Sequence, residues 1–209
     1  GSTFGDAKAF TADLAGQHLS VSDGLLDGTP VSFAAIKQAP PVLTLQQQGV
    51  DANGAITWYY FTGANQLDTL NKAVRIKRRF YRDDNVKGRV ELLPGAVLKV
   101  GENVHVKLTI ETASRLKYVH ISDPRAAAFE PKDNNSGYQY GNGLSYYQSV
   151  KDTGLELFTE SIPRGISEIS YDLVVAMNGK FISGPVRLQC MYQPSVTAYS
   201  NVGTFTTNR

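Results

Sequence analysis

Residues 104–110 read Val104-His105-Val106-Lys107-Leu108-Thr109-Ile110. The alternation is unbroken: Val104, Val106, Leu108 and Ile110 fall on one face of a strand, and His105, Lys107 and Thr109 on the other. Working outward, residues 169–176 (ISYDLVVA) and 186–192 (VRLQCMY) follow the same logic, and residues 56–61 (ITWYYF) form an aromatic-rich strand after the turn signal DANG at 51–54. Short apolar or alternating runs recur every 8 to 12 residues or so between turn residues, the rhythm of a β-sandwich. Asn178-Gly179 reads as a hairpin turn, since both residues tolerate positive φ. The exception to the β pattern is residues 3–15 (TFGDAKAFTADLA). There Thr3 and Asp6 approximate a capping box, Phe4, Ala7, Phe10 and Leu14 recur near helical spacing, and Gly16 supplies a stop, so one short helix is expected.

The fold expected is mainly β, in two parts. A first part, about residues 1–73, mixes the helix with strands; a second, about 85–207, is uniformly β, and Asp83–Gly88 is the expected joint. With 209 residues there is room for one large or two modest domains with a real core. Gly1-Ser2 reads as a tag remnant ahead of a piece of something longer.

Composition excludes several classes. At 42% hydrophobic and 19% charged the chain is globular, and a formal net charge of +2 is too small to imply a nucleic-acid partner or a charged membrane surface. No apolar run approaches the roughly 20 residues of a membrane span. The single cysteine, Cys190, precludes an internal disulfide and a cysteine-rich metal site.

Each candidate site has a plainer alternative. The run Arg75–Arg82 (RIKRRFYR), read as a strand, puts Arg75, Lys77, Arg79 and Tyr81 on one face and Ile76, Arg78 and Phe80 on the other. A basic aromatic face can track a nucleic-acid backbone, but Asp83 and Asp84 follow at once, and a solvated strand is the reading adopted. His18, His105 and His120 are too far apart in sequence for a zinc-ligand pair and read as surface residues. Cys190 shares strand parity with Val186, Leu188 and Tyr192 and reads as a core thiol with nothing nearby to lower its pKa. Residues 132–137 (KDNNSG) have oxygen donors at calcium-like density without a calcium loop's spacing, and read as a turn. No nucleophile elbow, phosphate loop or dinucleotide fingerprint occurs. The expectation is therefore no enzyme, no cofactor and no metal.

Tyrosines remain. Residues 137–147 (GYQYGNGLSYY) hold four of eleven. With Gly141-Asn142-Gly143 as a hairpin turn, Tyr138 and Tyr140 share a face, whereas Tyr146 and Tyr147 are adjacent and point to opposite faces. At most three of Tyr138, Tyr140, Tyr146 and Tyr147 can therefore join in one interaction surface.

Several segments together resemble the C-terminal region of bacterial alpha-2-macroglobulin-like proteins. They are residues 118–131 (YVHISDPRAAAFEP), 136–152 (SGYQYGNGLSYYQSVKD), Phe158, Ile162 to Gly165, 169–173 (ISYDL), 179–184 (GKFISG) and 189–192 (QCMY). Upstream, residues 54–61 (GAITWYYF) resemble the family's strand before its last domain. The likeness covers roughly residues 54–200. It implies an immunoglobulin-like, macroglobulin-type β-sandwich, of the receptor-binding type, over 85–209. It also implies a CUB-like β segment over 19–84, and over 1–18 a tag remnant and helix at the exit of a thioester-type domain.

The resemblance further implies a non-catalytic part of an exported protease trap, periplasmic or at the cell surface. Its partners would be the other domains of its parent chain, a thioester-type domain above all, and proteases through that parent. The thioester motif itself, Cys-Gly-Glu-Gln, is not in this sequence, and Cys190 lies in the wrong domain for it. The alternative is a β-sandwich binding carbohydrate or protein through exposed tyrosines.

Overall fold

The computed structural model describes residues 11–14, 17–20, 43–46, 63, 67, 73–84, 86 and 88–209. Every regular element among them is a strand. The chain divides into two units, Gly1–Tyr59 and Tyr60–Arg209.

In the first unit β1 (Thr11–Leu14) lies between β2 (Gln17–Ser20) and β3 (Leu43–Gln46), antiparallel to both. This corrects part of the expected helix over 3–15. Its last residues are a strand, and residues 3–10 lie outside the described residues. Thr11-Ala12-Asp13-Leu14 also satisfies a period of two, and pairing on both sides supplies the hydrogen bonds that a helix would make within itself. The turn at 51–54 and the aromatic run 56–61 also lie outside the described residues.

The second unit contains β4 (Val74–Asp84), β5 (Gly88–Glu91), β6 (Val97–Lys99), β7 (Asn103–Thr112), β8 (Leu116–Pro124), β9 (Phe129–Pro131) and β10 (Gly137–Gly141). It continues through β11 (Leu144–Lys151), β12 (Gly154–Ile162), β13 (Gly165–Val175), β14 (Gly179–Ser183), β15 (Arg187–Cys190), β16 (Gln193–Tyr199) and β17 (Gly203–Asn208). A six-stranded sheet in the order β10-β11-β12-β8-β15-β16 faces a five-stranded sheet, β5-β4-β7-β13-β9. A small third sheet, β14-β17-β6, joins β17 to β6 in parallel.

The opening alternation becomes β7, held between β4 and β13. Val104, Val106, Leu108 and Ile110 are all fully buried. They share one core with Ile76 and Phe80 of β4, Val119 and Ile121 of β8, Leu157 of β12 and Leu188 of β15. Phe205 meets both Phe80 and Phe129 edge to face at 4.8 Å, and those two rings stack on each other at 6.5 Å.

Two expectations about punctuation are corrected. Asp83–Gly88 is not a joint between domains: Asp84 stands opposite Gly88 in the β4–β5 pairing, and β4 pairs with β7 from Val74 to Arg82. The strand taken for the end of the first part is thus an interior strand of the sandwich. Nor is Asn178-Gly179 a hairpin turn, because β13 and β14 belong to different sheets. By contrast Asn142 and Gly143, at φ 50° and 75°, link β10 to β11 as a two-residue turn of the type whose twist suits a hairpin.

Candidate functional site

The parity expected for Arg75–Arg82 places Arg78 on the apolar side, and the structure shows why a charge can sit there. Val74, Ile76, Arg78 and Phe80 are buried while Arg75, Lys77 and Arg79 are exposed. The basic face is solvated and paired in part to acids, Arg79 to Glu91 at 3.6 Å. Arg78, only 4% exposed, forms an ion pair with Asp123 of β8 through Nη1, which also donates to the Pro124 carbonyl at 3.1 Å. Its Nη2 donates to Ser183 Oγ at 2.7 Å and to the Gly184 carbonyl at 2.6 Å. One guanidinium thereby ties β4 of the five-stranded sheet to β8 of the six-stranded sheet and to β14 of the third. Its Nε has no hydrogen-bond partner, and the group lies 5.1 Å from the Phe80 ring centroid, where a cation is attracted to the ring face.

Tyr171 of β13 completes this network by donating its hydroxyl to Asp123 Oδ2 at 2.6 Å. Burial raises the Asp123 carboxyl above its ordinary value, opposed by Arg78 and by the Tyr171 hydrogen bond. Burial, with Asp123 beside it, holds the Tyr171 phenol protonated well above its ordinary range. A buried carboxyl with a raised pKa beside a cavity is a pattern shared with general acids. Here each oxygen is already engaged, one by Arg78 and the other by Tyr171, so the arrangement fits a latch between sheets.

Asp123 and Tyr171 form the floor of a cavity of about 400 Å³ between the two large sheets. Tyr146, Gln148 and Val150 of β11 line one side, the edge of β13 at Ser170–Leu173 borders the other, and Arg125, Lys132 and Asp133 complete the lining. Gly154 lies against β8 so closely that a Cβ there would meet the Asp123 carbonyl at 2.3 Å.

The four singled-out tyrosines separate. Tyr146 turns inward to line the cavity, and burial raises its phenol pKa. Tyr138, Tyr140 and Tyr147 are exposed on the outer face of the six-stranded sheet, with Tyr138 and Tyr147 in edge-to-face contact at 5.3 Å. Cross-strand register extends this pair into a row: Tyr138 lies opposite Tyr147, Tyr147 opposite Phe158, and Phe158 opposite His120. His120 stacks on Phe158 at 4.7 Å and is held by Glu156, 2.5 Å from its Nε2. Sequence reading missed Phe158 and His120 as members, because register between strands brings them to the tyrosines.

Further along the same sheet Tyr118 and Tyr192 meet edge to face at 5.1 Å. Tyr118 has φ 51°, a left-handed conformation costly for a residue with a Cβ. The β8–β12 register runs unbroken on either side of it, from Thr159↔Val119 to Ser161↔Lys117. Tyr192, expected on the core face with Cys190, is 81% exposed. A bulge between Gln189 and Cys190 ends the alternation before it reaches Tyr192.

Among the remaining candidates, His105 accepts from Arg89 at Nε2 (3.0 Å), since a guanidinium only donates, and its Nδ1–H points to Asp172 at 2.7 Å. His105 and His120 stand on different sheets, each with its own carboxylate. His18 is in β2, opposite Asp13. Cys190 is a buried free thiol whose pKa burial raises. In the 132–137 loop, Asp133 Oδ1 accepts from the Asn135 amide at 2.9 Å and Ser136 Oγ from the Val150 amide at 3.0 Å, so its oxygens serve the turn.

Against this geometry, residues 74–195 match the family model described as the bacterial alpha-2-macroglobulin MG10 domain. The chain belongs to the bacterial alpha-2-macroglobulin family. The match begins at Val74, the first residue of β4, in agreement with that strand's place inside the sandwich. Solved structures of similar fold include native Escherichia coli alpha-2-macroglobulin from domain MG7 to the C-terminus. Its TM-score is 0.55 at 15% identity, over 66% of this chain and 24% of that one. The native conformation of E. coli alpha-2-macroglobulin gives 0.53 at 12% identity, over 66% and 10%. Salmonella alpha-2-macroglobulin reacted with methylamine gives 0.50 at 16%, over 65% and 9%. The aligned region thus spans about a tenth of these two chains. No curated protein sequence matches the chain. Among the described residues no helix is long and apolar enough to cross a membrane.

Proposed function

We propose that this chain serves as a non-catalytic interaction module within an alpha-2-macroglobulin-type protease inhibitor that is exported to the periplasm or cell surface. The observation that carries the reading is the match of the MG10 domain family over the sandwich, residues 74–195. In this reading a longer parent chain supplies the protease bait and any thioester chemistry. The sandwich packs against the parent's other domains, a thioester-type domain among them, and contributes surface after bait cleavage. Residues 1–18 then belong to the exit of that domain, and residues from 19 to the start of β4 to a CUB-like segment.

The experiment treats the full-length parent with a protease and follows both conformation and retained protease. Cleavage-triggered compaction with retention of the protease is expected. A parent that is cut without either response removes the trap reading.

The outer aromatic row favours contact with protein over carbohydrate. Sugar platforms present ring faces in one plane, whereas Tyr138 and Tyr147 are inclined at 77° to each other. Titration of the chain with oligosaccharides tests this alternative, and saturable binding lost in Tyr138→Ala would reinstate it.

A further inference from the structure

Strand β13 is paired along nearly its whole length with β7, but on its other side β9 covers only Leu173–Val175. The Lys132 amide donates to the Asp172 carbonyl at 3.0 Å, after which the chain leads to β10 in the opposite sheet. The carbonyls of Asp172 and Glu168 thus point away from β7, and Asn142 Nδ2 reaches the latter at 3.5 Å. The alternation of an antiparallel strand aims the backbone groups of Ile166 and Ser170 the same way. Among the described residues no strand stands beside Ile166–Ser170, so a strand position is vacant in line with β9.

The two sides of that position differ. Inward lies the cavity, walled by Tyr146, Gln148 and Val150 and floored by Tyr171. Outward, β13 presents Ile166, 71% exposed, then Glu168, Ser170 and Asp172. Lys107 faces Glu168 and His105 faces Asp172 from the β7 side, which leaves the carboxylates' free-edge side open to a cation across the gap. Soluble proteins usually blunt such an edge with lysine, proline or a covering segment.

We propose that this edge is a peptide-binding site. An extended basic segment of a partner protein adds antiparallel to β13 beside Ile166–Ser170. Its alternate side chains enter the cavity, and its lysines or arginines lie across from Glu168 and Asp172. Main-chain hydrogen bonds supply affinity and the alternate pockets supply selectivity, as in other strand additions. A second copy of this chain fits less well: two β13 edges centred on Glu168 would set that acid opposite its own mate, and like charges directly opposed are destabilising. The site is independent of any protease-trapping role.

The test titrates the isotopically labelled 209-residue chain with the peptide acetyl-Lys-Val-Lys-Tyr-Lys-Val-Lys-amide and with a twin carrying Glu in place of Lys. The expected result is that the Ile166, Glu168 and Ser170 amides shift and exchange their hydrogens at least about tenfold more slowly with the basic peptide. The acidic twin should bind at least about tenfold more weakly. Ser170→Pro removes an edge N–H that β7 does not use, a substitution edge strands tolerate, and it should weaken binding by a similar factor. Absence of shifts at these amides, equal binding of the acidic twin, or protection arising from dimerisation without peptide would each overturn the proposal. If Ser170→Pro fails to fold, hydrogen exchange in the unsubstituted chain decides alone.

Discussion

Arg78 and Asp123, 45 residues apart in sequence, meet as a fully buried ion pair between the two large sheets. Removing either partner strands the other charge in the core. Arg78→Ala and Asp123→Ala should each lower stability by about 3–5 kcal/mol, read from urea midpoints. The double replacement Arg78→Met with Asp123→Leu should recover much of that loss. Single variants with wild-type midpoints would show that the pair contributes nothing.

The raised Asp123 carboxyl has a consequence for pH. Above the ordinary value of 3.8 the unfolded chain has released this proton while the native state still holds it. The native state then binds more protons, so this group's contribution to stability falls as pH rises from about 3.8 through the raised value. The stability advantage of the protein over Asp123→Asn should accordingly shrink as pH rises above the ordinary carboxyl value of 3.8. A gap that widens with pH would mean that Arg78 and Tyr171 outweigh burial.

Gly154 tests the close approach of β12 and β8. A methyl group there collides with the Asp123 backbone and displaces the carboxyl that Arg78 and Tyr171 hold. Gly154→Ala should cost about 1–3 kcal/mol. It should also move the Tyr171 ring signals in an NMR spectrum, a change that a generic loss of stability would not produce.

Cys190 sits 4% exposed, with its thiol pKa raised by burial. The native protein should resist a thiol reagent such as dithionitrobenzoate at neutral pH and react in full once unfolded in denaturant. Rapid labelling of the native chain would contradict the core assignment.

The aromatic row is a surface feature, so it should matter little to the fold. Tyr138→Ala and Tyr140→Ala are expected to change stability by no more than about 0.5 kcal/mol, whereas Tyr146→Ala, which empties part of the cavity wall, should cost more. Thermal melts of the three variants side by side give the comparison.

Strand identity was legible where one face alternates against a core: Val104 to Ile110 needs nothing beyond its own pattern. The Arg78 latch was half legible. Parity placed Arg78 with Ile76 and Phe80, but its partners lie on β8 and β14, and no local rule connects them. The β4 boundary was misread because a charge-rich end, Asp83-Asp84, resembles a linker when the pairing with β7 is unseen. At Thr11–Leu14, helical spacing and strand alternation coexist in four residues, and pairing with β2 and β3 decided between them. The outer aromatic row depends on register across four strands, and register between distant strands is a tertiary property.

The last strand carries a requirement in time. Phe205 of β17 completes the ring cluster with Phe80 and Phe129, and Arg78 waits for Ser183, 105 residues further along. As the chain leaves the ribosome, β4 emerges with its charge and its phenylalanine long before either finds its partner. The sandwich therefore closes only after synthesis has passed residue 205, and its many distant pairings place it among domains that fold in milliseconds to seconds. Until then the buried arginine and the aromatic cluster stay open to water and to whatever holds nascent chains apart.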